Sequence, residues 1–402
     1  MSDVGLETLN EFVSLSMYQG ADVRVLIIQP SVPEYRCPFF EQLSHVHGLC
    51  LRVVASTDGL TAGELKGGER STTFEYSTCA HHAFFGGRLF WQQGLRLGNW
   101  LRKGDVLVVS GNPRYLSNFP LILQAKIRGV GVVWWGHGWS SGSRGFAAWL
   151  RRKIMQVADV VLLYTDAEVA SYVSLGFDPA RTFATNNALD QTLAERYSKH
   201  WAADRLKKFE EDNLIQGHRV LLFCGRLLPK ADLAFLIGAL PLVVARWPNV
   251  LLTIIGDGPE RPRLQSLTKE LGVEKYIRWL GSIYDEAELA PWFLAADAFV
   301  FPGAIGLSVL HAMGYGLPVL THSDSTRHGP EFAAIDAGVN SLTYKGGVPN
   351  DFLLQLSRLL DDDTFRVSLS SAARETVATT YSMDGMVKRF VTAVEAAAAI
   401  YR

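Results

Sequence analysis

Short apolar runs recur along this chain, and each is followed by a segment whose apolar residues return at helical spacing. Runs rich in Val, Ile, Leu and Phe that end at Gly, Pro, Asn or Asp are typical of buried parallel strands. The predicted strands are Val23–Gln29, Leu51–Ala55, Asp105–Ser110, Val130–Trp135, Val160–Tyr164, Arg219–Cys224, Val250–Ile255, Ile277–Leu280, Ala298–Phe301 and Val319–Thr321. Strands that alternate with helices predict a doubly wound α/β fold with parallel sheets.

The alternating pattern stops at a polar segment and then starts again, which indicates two domains. This segment, Ser198–Gly217, has no strand pattern and is predicted to connect the two halves through a helix. A chain of 402 residues, of which 48% are hydrophobic, can build two sizeable cores. We therefore predict a first domain over 1–200, a second domain over 201–382 and a final helix over 383–402.

The net charge and the cysteines narrow the classes of partner. A net charge of −1 provides no overall positive field, so no nucleic-acid partner is expected. The four cysteines have neither metal-ligand nor CxxC spacing and are typical of reduced thiols in a cytoplasmic protein. Residues 1–20 lack the basic and apolar regions of a signal peptide, and no stretch is apolar for long enough to span a bilayer. The expected location is the cytoplasm.

Two segments of the first half combine aromatic and basic residues. Ala83–Lys103 carries Phe, Trp and Leu beside Arg and Lys without an acidic residue, and Arg144–Lys153 has the same character. Such segments suit the interface of an anionic membrane. A solvated helix with its aromatic rings in the core would have the same composition. Peripheral contact with the inner face of the cell membrane is thus one interpretation, and the solvated helix is the other.

Two loops of the second half are candidates for binding an anion. The loop from Gly303 to Gly306 separates a predicted strand from a helix, where free backbone N–H groups and the positive end of the helix favour a phosphate. The loop from Gly225 to Lys230 brings Arg226 and Lys230, which can hold a diphosphate through a guanidinium fork and a point charge. An ordinary turn and a solvated basic loop are the alternative explanations.

The first half has its own candidates at the ends of predicted strands. Pro33 and Tyr35 follow the first strand, at the edge where open α/β sheets bind ligands, and are candidates to line an acceptor site. His137 lies between two glycines after the strand Val130–Trp135, which leaves its ring open to a cleft and able to contact a reacting sugar or phosphate. For Pro33 and Tyr35 the alternative is an ordinary turn, and for His137 it is a histidine with a structural role.

Five motifs in fixed order make the second half similar to a known family. They are Gly225-Arg226-Leu227 with Lys230, Ile255-Gly256-Asp257-Gly258-Pro259, Leu280-Gly281, Ala296-Asp297-Ala298-Phe299-Val300, and Gly306-Leu307 with Ala312-Met313 and Gly316-Leu317-Pro318-Val319. The chain resembles a family 4 glycosyltransferase of the GT-B type, closely in its second half and loosely in its first. The resemblance implies two facing Rossmann-like domains, with a C-terminal helix that crosses back to the first domain.

The resemblance also implies an activity and its substrates. Family members move a sugar from a nucleotide diphosphate donor to a hydroxyl acceptor with retention of anomeric configuration, and they need no metal and no cofactor. The absence of a DxD-like carboxylate pair agrees with this. The donor would bind the second domain and the acceptor the first, and the aromatic-basic segments favour a lipid-linked glycan or polysaccharide precursor as acceptor.

The resemblance assigns roles to individual positions of this chain. The candidates for catalysis are His137, Arg226, Lys230 and Glu331. The candidates for donor binding are Gly225, Gly256, Gly281, Ile283, Gly303, Ala304, Ile305, Gly306, Leu307 and His311. In the proposed reaction Arg226, Lys230 and the amides from Ala304 to Leu307 stabilise the charge that grows on the leaving diphosphate.

This chain departs from the family at its paired glutamates, which would fall at Gly303 and His311. In the family the first contacts the donor sugar and the second the nucleotide ribose, and an imidazole binds different partners from those of a carboxylate. One hypothesis is a thymidine diphosphate sugar, whose deoxyribose lacks the 2′-hydroxyl. Another is that Glu331 supplies the missing carboxylate. The family's phosphate-binding lysine would fall at Ala231, so Lys230 must reach from the neighbouring position.

Other functions remain open at this stage. A nucleotide-sugar epimerase of the same architecture would turn over the donor without an acceptor, and a non-catalytic homologue would bind nucleotide without turnover. A dinucleotide dehydrogenase would carry G-x-G-x-x-G after its first strand, but Gln29–Arg36 contains no glycine. We therefore set the dehydrogenase aside and keep the other two as alternatives.

Overall fold

The structure, a computed structural model, describes residues 22–56, 74–138 and 145–402. Two compact units divide the chain, one of Met1–Asn187 with Met383–Arg402 and the other of Ala188–Ser382. The residues from 139 to 144, which include the start of the segment Arg144–Lys153, and residues 1–20 lie outside the described residues. None of the described helices combines the length and the apolar character needed to cross a bilayer.

The first unit is built on one large parallel sheet. Its strands are β1 (Val23–Gln29), β2 (Leu49–Ser56), β3 (Glu75–Cys79), β4 (His81–Phe84), β5 (Leu89–Gln92), β6 (Val106–Ser110), β7 (Gly131–Trp135), β8 (Val160–Leu163) and β9 (Thr182–Ala184). Its first helices are α1 (Cys37–Ser44), α2 (Asn118–Ile127), α3 (Phe146–Met155) and α4 (Asp166–Ser174). The strand order is β3-β2-β1-β6-β7-β8-β9, and β4 and β5 form a separate antiparallel hairpin.

The second unit repeats this plan with a smaller sheet. Its strands are β10 (Arg219–Cys224), β11 (Val250–Ile255), β12 (Ile277–Gly281), β13 (Ala298–Phe301), β14 (Val319–His322) and β15 (Ser341–Tyr344), in the order β12-β11-β10-β13-β14-β15. Its helices are α5 (Thr192–His200), α6 (Ala203–Asp212), α7 (Leu233–Arg246), α8 (Arg261–Glu270), α9 (Glu286–Leu294), α10 (Ser308–Gly314), α11 (Pro349–Leu360) and α12 (Asp363–Ala378). All pairings in this sheet are parallel.

Burial explains why the central strands could be recognised. Every residue of β6, β7, β11 and β13 is buried, as expected for parallel strands that are covered by helices on both faces. The predicted fold of two doubly wound parallel α/β domains is confirmed. Three outer strands, β3, β9 and β15, were not predicted, because they are short or lack a fully apolar run.

The last helix, α13 (Met383–Ala399), belongs to the first unit. Its Phe390 ring lies 5.4 Å from the ring of Phe39 in α1 and 5.2 Å from that of Trp135 in β7. All three side chains are almost completely buried. The chain therefore leaves the first unit, forms the second and returns to complete the first core.

The division between the units falls earlier in the chain than the boundary between 200 and 201 that the sequence suggested. Helix α5 precedes that predicted boundary but packs with the second unit. Its Ala194 is 3% exposed within the second core, and Gln191 just before it donates a hydrogen bond to the carbonyl of Leu310. The apolar side of this mostly polar helix is narrow, and the sequence pattern did not reveal which core it joins.

Candidate functional site

Two candidate loops of the second unit flank the point where its strand order reverses. From the central strand β10 the chain builds β11 and β12 on one side, and β13 then starts the other side. The loop Gly225–Lys230 follows β10 and the loop Gly303–Leu307 follows its neighbour β13. In open α/β sheets ligands bind outside the carboxyl ends of the strands at such a point. The fold therefore puts both candidate loops at the expected ligand edge of this unit.

The loops at this edge touch so closely that some of them require glycine. A Cβ on Gly303 would lie 2.1 Å from the carbonyl oxygen of Lys230, and one on Gly256 would lie 1.9 Å from that of Gly225. Gly256 also has φ +135°, which L side chains rarely adopt. The backbones of three strand-end loops thus form one packed edge, in which a glutamate at position 303 would not fit.

The two candidate cations stand at the surface of this edge. Arg226 and Lys230 are both exposed, and Lys230 lies in a short 3-10 turn, Pro229–Ala231, that precedes α7. The carbonyl of Lys230 accepts a hydrogen bond from the amide of Ala304 at 2.8 Å. This bond joins the cationic loop to the glycine loop.

Two of the four loop amides that the sequence analysis assigned to the phosphate are already engaged. The amide of Ala304 donates to Lys230, and that of Ile305 donates to Nδ1 of His328 at 3.2 Å. Within the described residues, no hydrogen bond is recorded from the amides of Gly306 and Leu307. Two of the four amides thus have partners within the protein in this structure, and the assignment of the four to a phosphate stays a prediction.

His328 is an unpredicted support of the glycine loop. Its Nε2 donates to the carbonyl of His322 at 2.8 Å, which leaves Nδ1 as the acceptor for Ile305. Its ring stacks on those of His322 and Phe332 at 3.9 and 4.2 Å. Desolvation is the main cause that lowers the pKa of His328 to about 4. A neutral imidazole therefore holds the loop at neutral pH.

Glu331, which the sequence analysis offered as a replacement carboxylate, lies beside the glycine loop. It is 6% exposed in the short 3-10 segment Pro330–Ala334. Its Oε2 is 3.0 Å from the position that a Cβ would take on Gly329 and 3.8 Å from that on Gly306. A carboxylate is thus present next to the loop, although the chain position in the family pattern is occupied by glycine.

The remaining donor candidates of this unit are spread along the same edge. Gly281 ends β12, and its carbonyl accepts from the amide of Gly256 at 2.7 Å. Ile283 follows it and is partly buried against the second core. His311 does not point freely outward, because its Nε2 lies 2.8 Å from Oε1 of Glu286 in α9.

The first unit gathers aromatic and basic side chains at the corresponding edge of its own sheet. Tyr35 is 37% exposed, and the Arg36 guanidinium lies 5.7 Å from its ring. The same guanidinium lies 4.9 Å from the ring of Trp135 and 5.7 Å from that of Tyr164. His137 in turn has its ring 4.5 Å from Tyr164. Pro33 immediately precedes the 3-10 turn Glu34–Arg36.

The sequence analysis selected Pro33, Tyr35 and His137 and missed the residues that connect them. Arg36 and Tyr164 follow strand ends without any motif, and only the three-dimensional arrangement brings them together. Desolvation, and then the charges of Arg151 and Arg36, lower the pKa of His137 below its ordinary value. The ring is therefore neutral at neutral pH and can accept a hydrogen bond, but it is a weak base.

Glu168 fixes the segment that carries His137. Its carboxylate is buried and accepts hydrogen bonds from the amides of Gly138 and Tyr164, both at 3.0 Å. A sequence signal existed, because Thr165 and Glu168 have the spacing of a capping box and the Thr165 hydroxyl accepts from the Glu168 amide at 3.1 Å. The carboxylate itself reaches the neighbouring strand end, which the signal does not predict.

The two aromatic-basic segments expose several of their rings. Most of the segment Ala83–Lys103 is the hairpin β4–β5 and a following loop, so a single helix is excluded. Phe85 at the hairpin tip is 79% exposed, and Phe146 and Trp149 of α3 are 73% and 46% exposed. Both segments therefore present aromatic surface to the solvent, but not all of their apolar side chains do so, since Leu97 and Leu101 are buried.

No group of three or more His, Cys, Asp or Glu side chains converges as metal ligands in the part of the chain that the structure describes. The described edge of the second sheet instead offers amides, a carboxylate and cationic side chains. These groups suit an anion that also carries hydroxyl groups.

Comparison with known proteins points to glycosyltransferases. Residues 218–362, most of the second unit, match the family model described as glycosyl transferases group 1. The D-inositol 3-phosphate glycosyltransferase of Corynebacterium urealyticum is 29% identical over 252 residues, which cover 60% of this chain and 57% of that protein. The lipopolysaccharide core biosynthesis glycosyltransferase LpsE of Rhizobium meliloti is 29% identical over 176 residues, or 43% of this chain and 48% of LpsE.

The matched region spans about half the length of these curated relatives. Over nearly the whole chain, the solved structure of HepE from Anabaena in complex with UDP has a similar fold. Its TM-score is 0.67 at 14% identity, with 92% of this chain and 98% of HepE covered. The comparisons therefore support the GT-B architecture for the chain and a relation to glycosyl transferases group 1 for its second unit.

Proposed function

We propose that this chain is a retaining glycosyltransferase that moves a sugar from a nucleotide diphosphate donor to a hydroxyl acceptor without a metal. The observation that carries the proposal is the packed edge at the strand-order reversal of the second sheet, which lies within the region matched by the family model. The UDP complex of the structurally similar HepE adds support for a nucleotide-sugar donor.

In this reaction the anomeric carbon exchanges one C–O bond for another. The bond to the leaving phosphate oxygen breaks, the acceptor oxygen bonds to the same face, and its proton passes to the leaving phosphate. Arg226, Lys230 and the amides of Gly306 and Leu307 would stabilise the charge that grows on the diphosphate. Glu331 would accept hydrogen bonds from hydroxyl groups of the nucleotide sugar. His137, a residue of the first unit, would be neutral and would accept a hydrogen bond from the reacting sugar.

Replacing Arg226 tests the assignment of the phosphate site. Arg226→Ala should lower turnover by about 10² or more, since an interaction with developing charge is lost. Arg263→Ala is the matched control, because this exposed arginine of α8 forms an ion pair with its near neighbour Glu260 on the surface of the same unit. A purified Arg226→Ala protein with the turnover of the control would contradict the phosphate assignment.

A screen of activated sugars separates this proposal from its alternatives. A thermal-shift series with UDP-, GDP- and dTDP-sugars identifies the donor, because a ligand at ~100 times its Kd stabilises by about 2.7 kcal/mol. Donor consumption without any acceptor would favour the nucleotide-sugar epimerase. Nucleotide binding without turnover, with every acceptor class tested, would favour the non-catalytic homologue. Undiminished turnover in excess EDTA is the result expected for a metal-independent enzyme.

We also propose that the acceptor is lipid-linked and that the first unit contacts an anionic membrane surface. Phe84 and Phe85 form an exposed hairpin tip, and Phe85 has φ +51°, which is rare for a bulky residue. Strained backbone of this kind is a reason to look for function at the tip. In α3 the exposed rings of Phe146 and Trp149 stack at 5.5 Å, and Arg152 and Lys153 follow in the last turn.

Liposome flotation tests the membrane contact. The protein should float with vesicles that contain anionic lipid and less with neutral vesicles, because basic residues contribute about 1 kcal/mol each near an anionic surface. The double variant Phe84→Ser/Phe85→Ser should lose most of this binding, whereas Leu123→Ser should keep it. Leu123 is a suitable control because it is 61% exposed on α2, outside both segments. Equal flotation of the two variants would count against the hairpin tip.

A further inference from the structure

A carboxylate at the ligand edge of the second unit is held by two neighbouring side chains. Nε2 of His311 and the hydroxyl of Tyr315, both in or next to α10, donate to the same oxygen, Oε1 of Glu286. The Phe293 ring packs against both donors, with ring centres 4.6 Å from His311 and 5.2 Å from Tyr315. Glu286 is therefore fixed in orientation although it lies in the first turn of α9.

The second oxygen of this carboxylate has no recorded partner. Among the described residues, no hydrogen bond or ion pair reaches Oε2 of Glu286, while the side chain as a whole is 21% exposed. A carboxylate has about four acceptor sites. Desolvation would raise the pKa of Glu286, but the hydrogen bonds from His311 and Tyr315 outweigh it and lower the pKa below its ordinary value. Glu286 is thus a mostly buried carboxylate with one oxygen engaged by His311 and Tyr315 and with acceptor capacity left on the other.

Glu286 lies close to the loop proposed to bind the diphosphate. The thiol of Cys224, the last residue of β10, has its pKa raised by burial and further by the negative charge of Glu286. Gly225 and Arg226 follow Cys224 directly. Glu286 itself comes three residues after Ile283, in the helix that follows β12. Helix α9 begins at the carboxyl end of the sheet because it follows β12, and the partner of Glu286, His311, lies in the helix that follows the glycine loop, so Glu286 belongs to the same edge as the two candidate loops.

The chemistry of this position suits a hydroxyl donor next to a phosphate. In nucleotide-binding α/β folds an acidic side chain beyond a strand end commonly accepts hydrogen bonds from ribose hydroxyls. The sugar of a nucleoside diphosphate is the group bonded directly to the phosphates, whereas the base lies farther out. A carboxylate beside the phosphate loop is thus better placed for the nucleoside sugar than for the base.

We propose that Oε2 of Glu286 accepts a hydrogen bond from a hydroxyl of the donor's nucleoside sugar, so that the donor is a ribonucleotide. His311 and Tyr315 are positioning residues that hold the carboxylate for this contact. The inference rests on the proposed function and names the substrate class of the same site. It replaces the hypothesis of a thymidine diphosphate sugar. That hypothesis assumed that no carboxylate is available for a ribose hydroxyl, whereas Glu286 provides one.

Glu286→Gln tests the proposed contact with little other change to the protein. The glutamine keeps an acceptor oxygen for His311 and Tyr315 and replaces the other acceptor oxygen by an NH₂ donor. Packing is therefore preserved while the proposed contact is lost. Glu288→Gln is the matched control, since Glu288 lies in the same first turn of α9 and is exposed.

The experiment is calorimetric titration of the full chain with matched nucleoside diphosphates. UDP, GDP and ADP are each compared with their 2′-deoxy and 3′-deoxy analogues. The wild-type protein and Glu288→Gln should bind the preferred ribonucleotide about 10-fold to 100-fold more tightly than at least one deoxy analogue, because the analogue leaves a charged acceptor unpaired. Glu286→Gln should bind the three forms with nearly equal affinity and should unfold at the wild-type temperature.

The outcomes distinguish this inference from the function on which it rests. Equal affinity of the wild-type protein for ribo- and deoxy-forms would overturn the role of Glu286 and leave the nucleotide site standing. If Glu286→Gln still bound the ribonucleotide more tightly than its deoxy analogues, the role of Glu286 would also be overturned and the nucleotide site would stand. If no nucleotide released heat with any variant, both the proposed function and this inference would fall. Tyr315→Phe provides a second check, since it should weaken the discrimination without abolishing it.

Discussion

The close approach between Gly303 and the turn that carries Lys230 predicts a large effect from a single methyl group. In Gly303→Ala the new Cβ would stand 2.1 Å from the carbonyl oxygen of Lys230 and 2.4 Å from the carbonyl carbon of Ala231. Both are backbone atoms, so neither can rotate away. The two loops would have to separate by roughly 1 Å before ordinary van der Waals contact is restored.

The structure allows the destabilisation to be estimated. Overpacking of this kind costs roughly 1–3 kcal/mol. The same separation would stretch the 2.8 Å bond between the Ala304 amide and Lys230 beyond hydrogen-bonding range, which costs roughly 0.5–1.5 kcal/mol more. Gly303→Ala should therefore lower the free energy of unfolding of the second unit by about 2–4 kcal/mol.

Gly306→Ala is a control within the same loop. Among the residues that the structure describes, a Cβ at Gly306 would meet Oε2 of Glu331 at 3.8 Å and nothing nearer, which is ordinary contact distance. This variant should change the free energy of unfolding by less than about 0.5 kcal/mol. Hydrogen exchange of peptides from β10 and β11, measured in increasing urea, reports the unfolding of this unit separately from the first. If the two variants unfolded at the same urea concentration, the packing of the loops would be refuted.

Three further predictions concern buried groups of the two units. Folding lowers the pKa of His328 from 6.5 to about 4, so the unfolded chain binds more protons in that range, and stability present above pH 6.5 is lost as the pH falls. Between pH 6.5 and 5, this group should lower the unfolding free energy of the wild-type protein by roughly 1–2 kcal/mol, and His328→Gln should remove that decrease. The measurement is the unfolding free energy of both proteins as a function of pH. An equal slope in the two proteins would contradict a buried neutral ring. Glu168→Ala leaves the amides of Gly138 and Tyr164 unpaired and should cost about 2–5 kcal/mol in urea unfolding. Arg389→Ala, which breaks an exposed ion pair with Asp166, should cost less than about 1 kcal/mol, and equal losses would argue against the role of Glu168. Phe390→Ala should destabilise the first unit by about 3–5 kcal/mol in hydrogen exchange of its strands, whereas truncation of the exposed Leu354 should have little effect on either unit.

The fold could be predicted from the sequence because its central strands are buried on both faces. The bounds of β1, β10, β11 and β13 match the predicted runs. The outer strand β3 could not be recognised in the same way, because all five of its residues retain some exposure and its sequence, EYSTC, has no apolar run. Sequence pattern thus identifies the centre of a parallel sheet more readily than its edges.

The sequence predicted the loops that form the candidate site, but only some of the side chains that support or complete it. Glycine motifs located the loops because close backbone contact restricts the residue type, as at Gly256 and Gly303. Glu286 escaped notice because its contact with His311 joins residues 25 positions apart in different helices. His328 likewise supports the loop through the amide of Ile305, which is 23 positions away in the chain. Contacts between separate elements have no periodicity, so a single sequence does not reveal them.

The return of α13 to the first unit affects the order in which the protein can mature on the ribosome. Phe39 and Trp135 are made before the second unit, but the Phe390 ring that packs on them is made after it. Domains generally fold as units during synthesis, N-terminal first. Here the second unit has all of its residues before the first has its final helix. The nascent first unit must therefore keep an uncovered aromatic surface until the second unit has been translated.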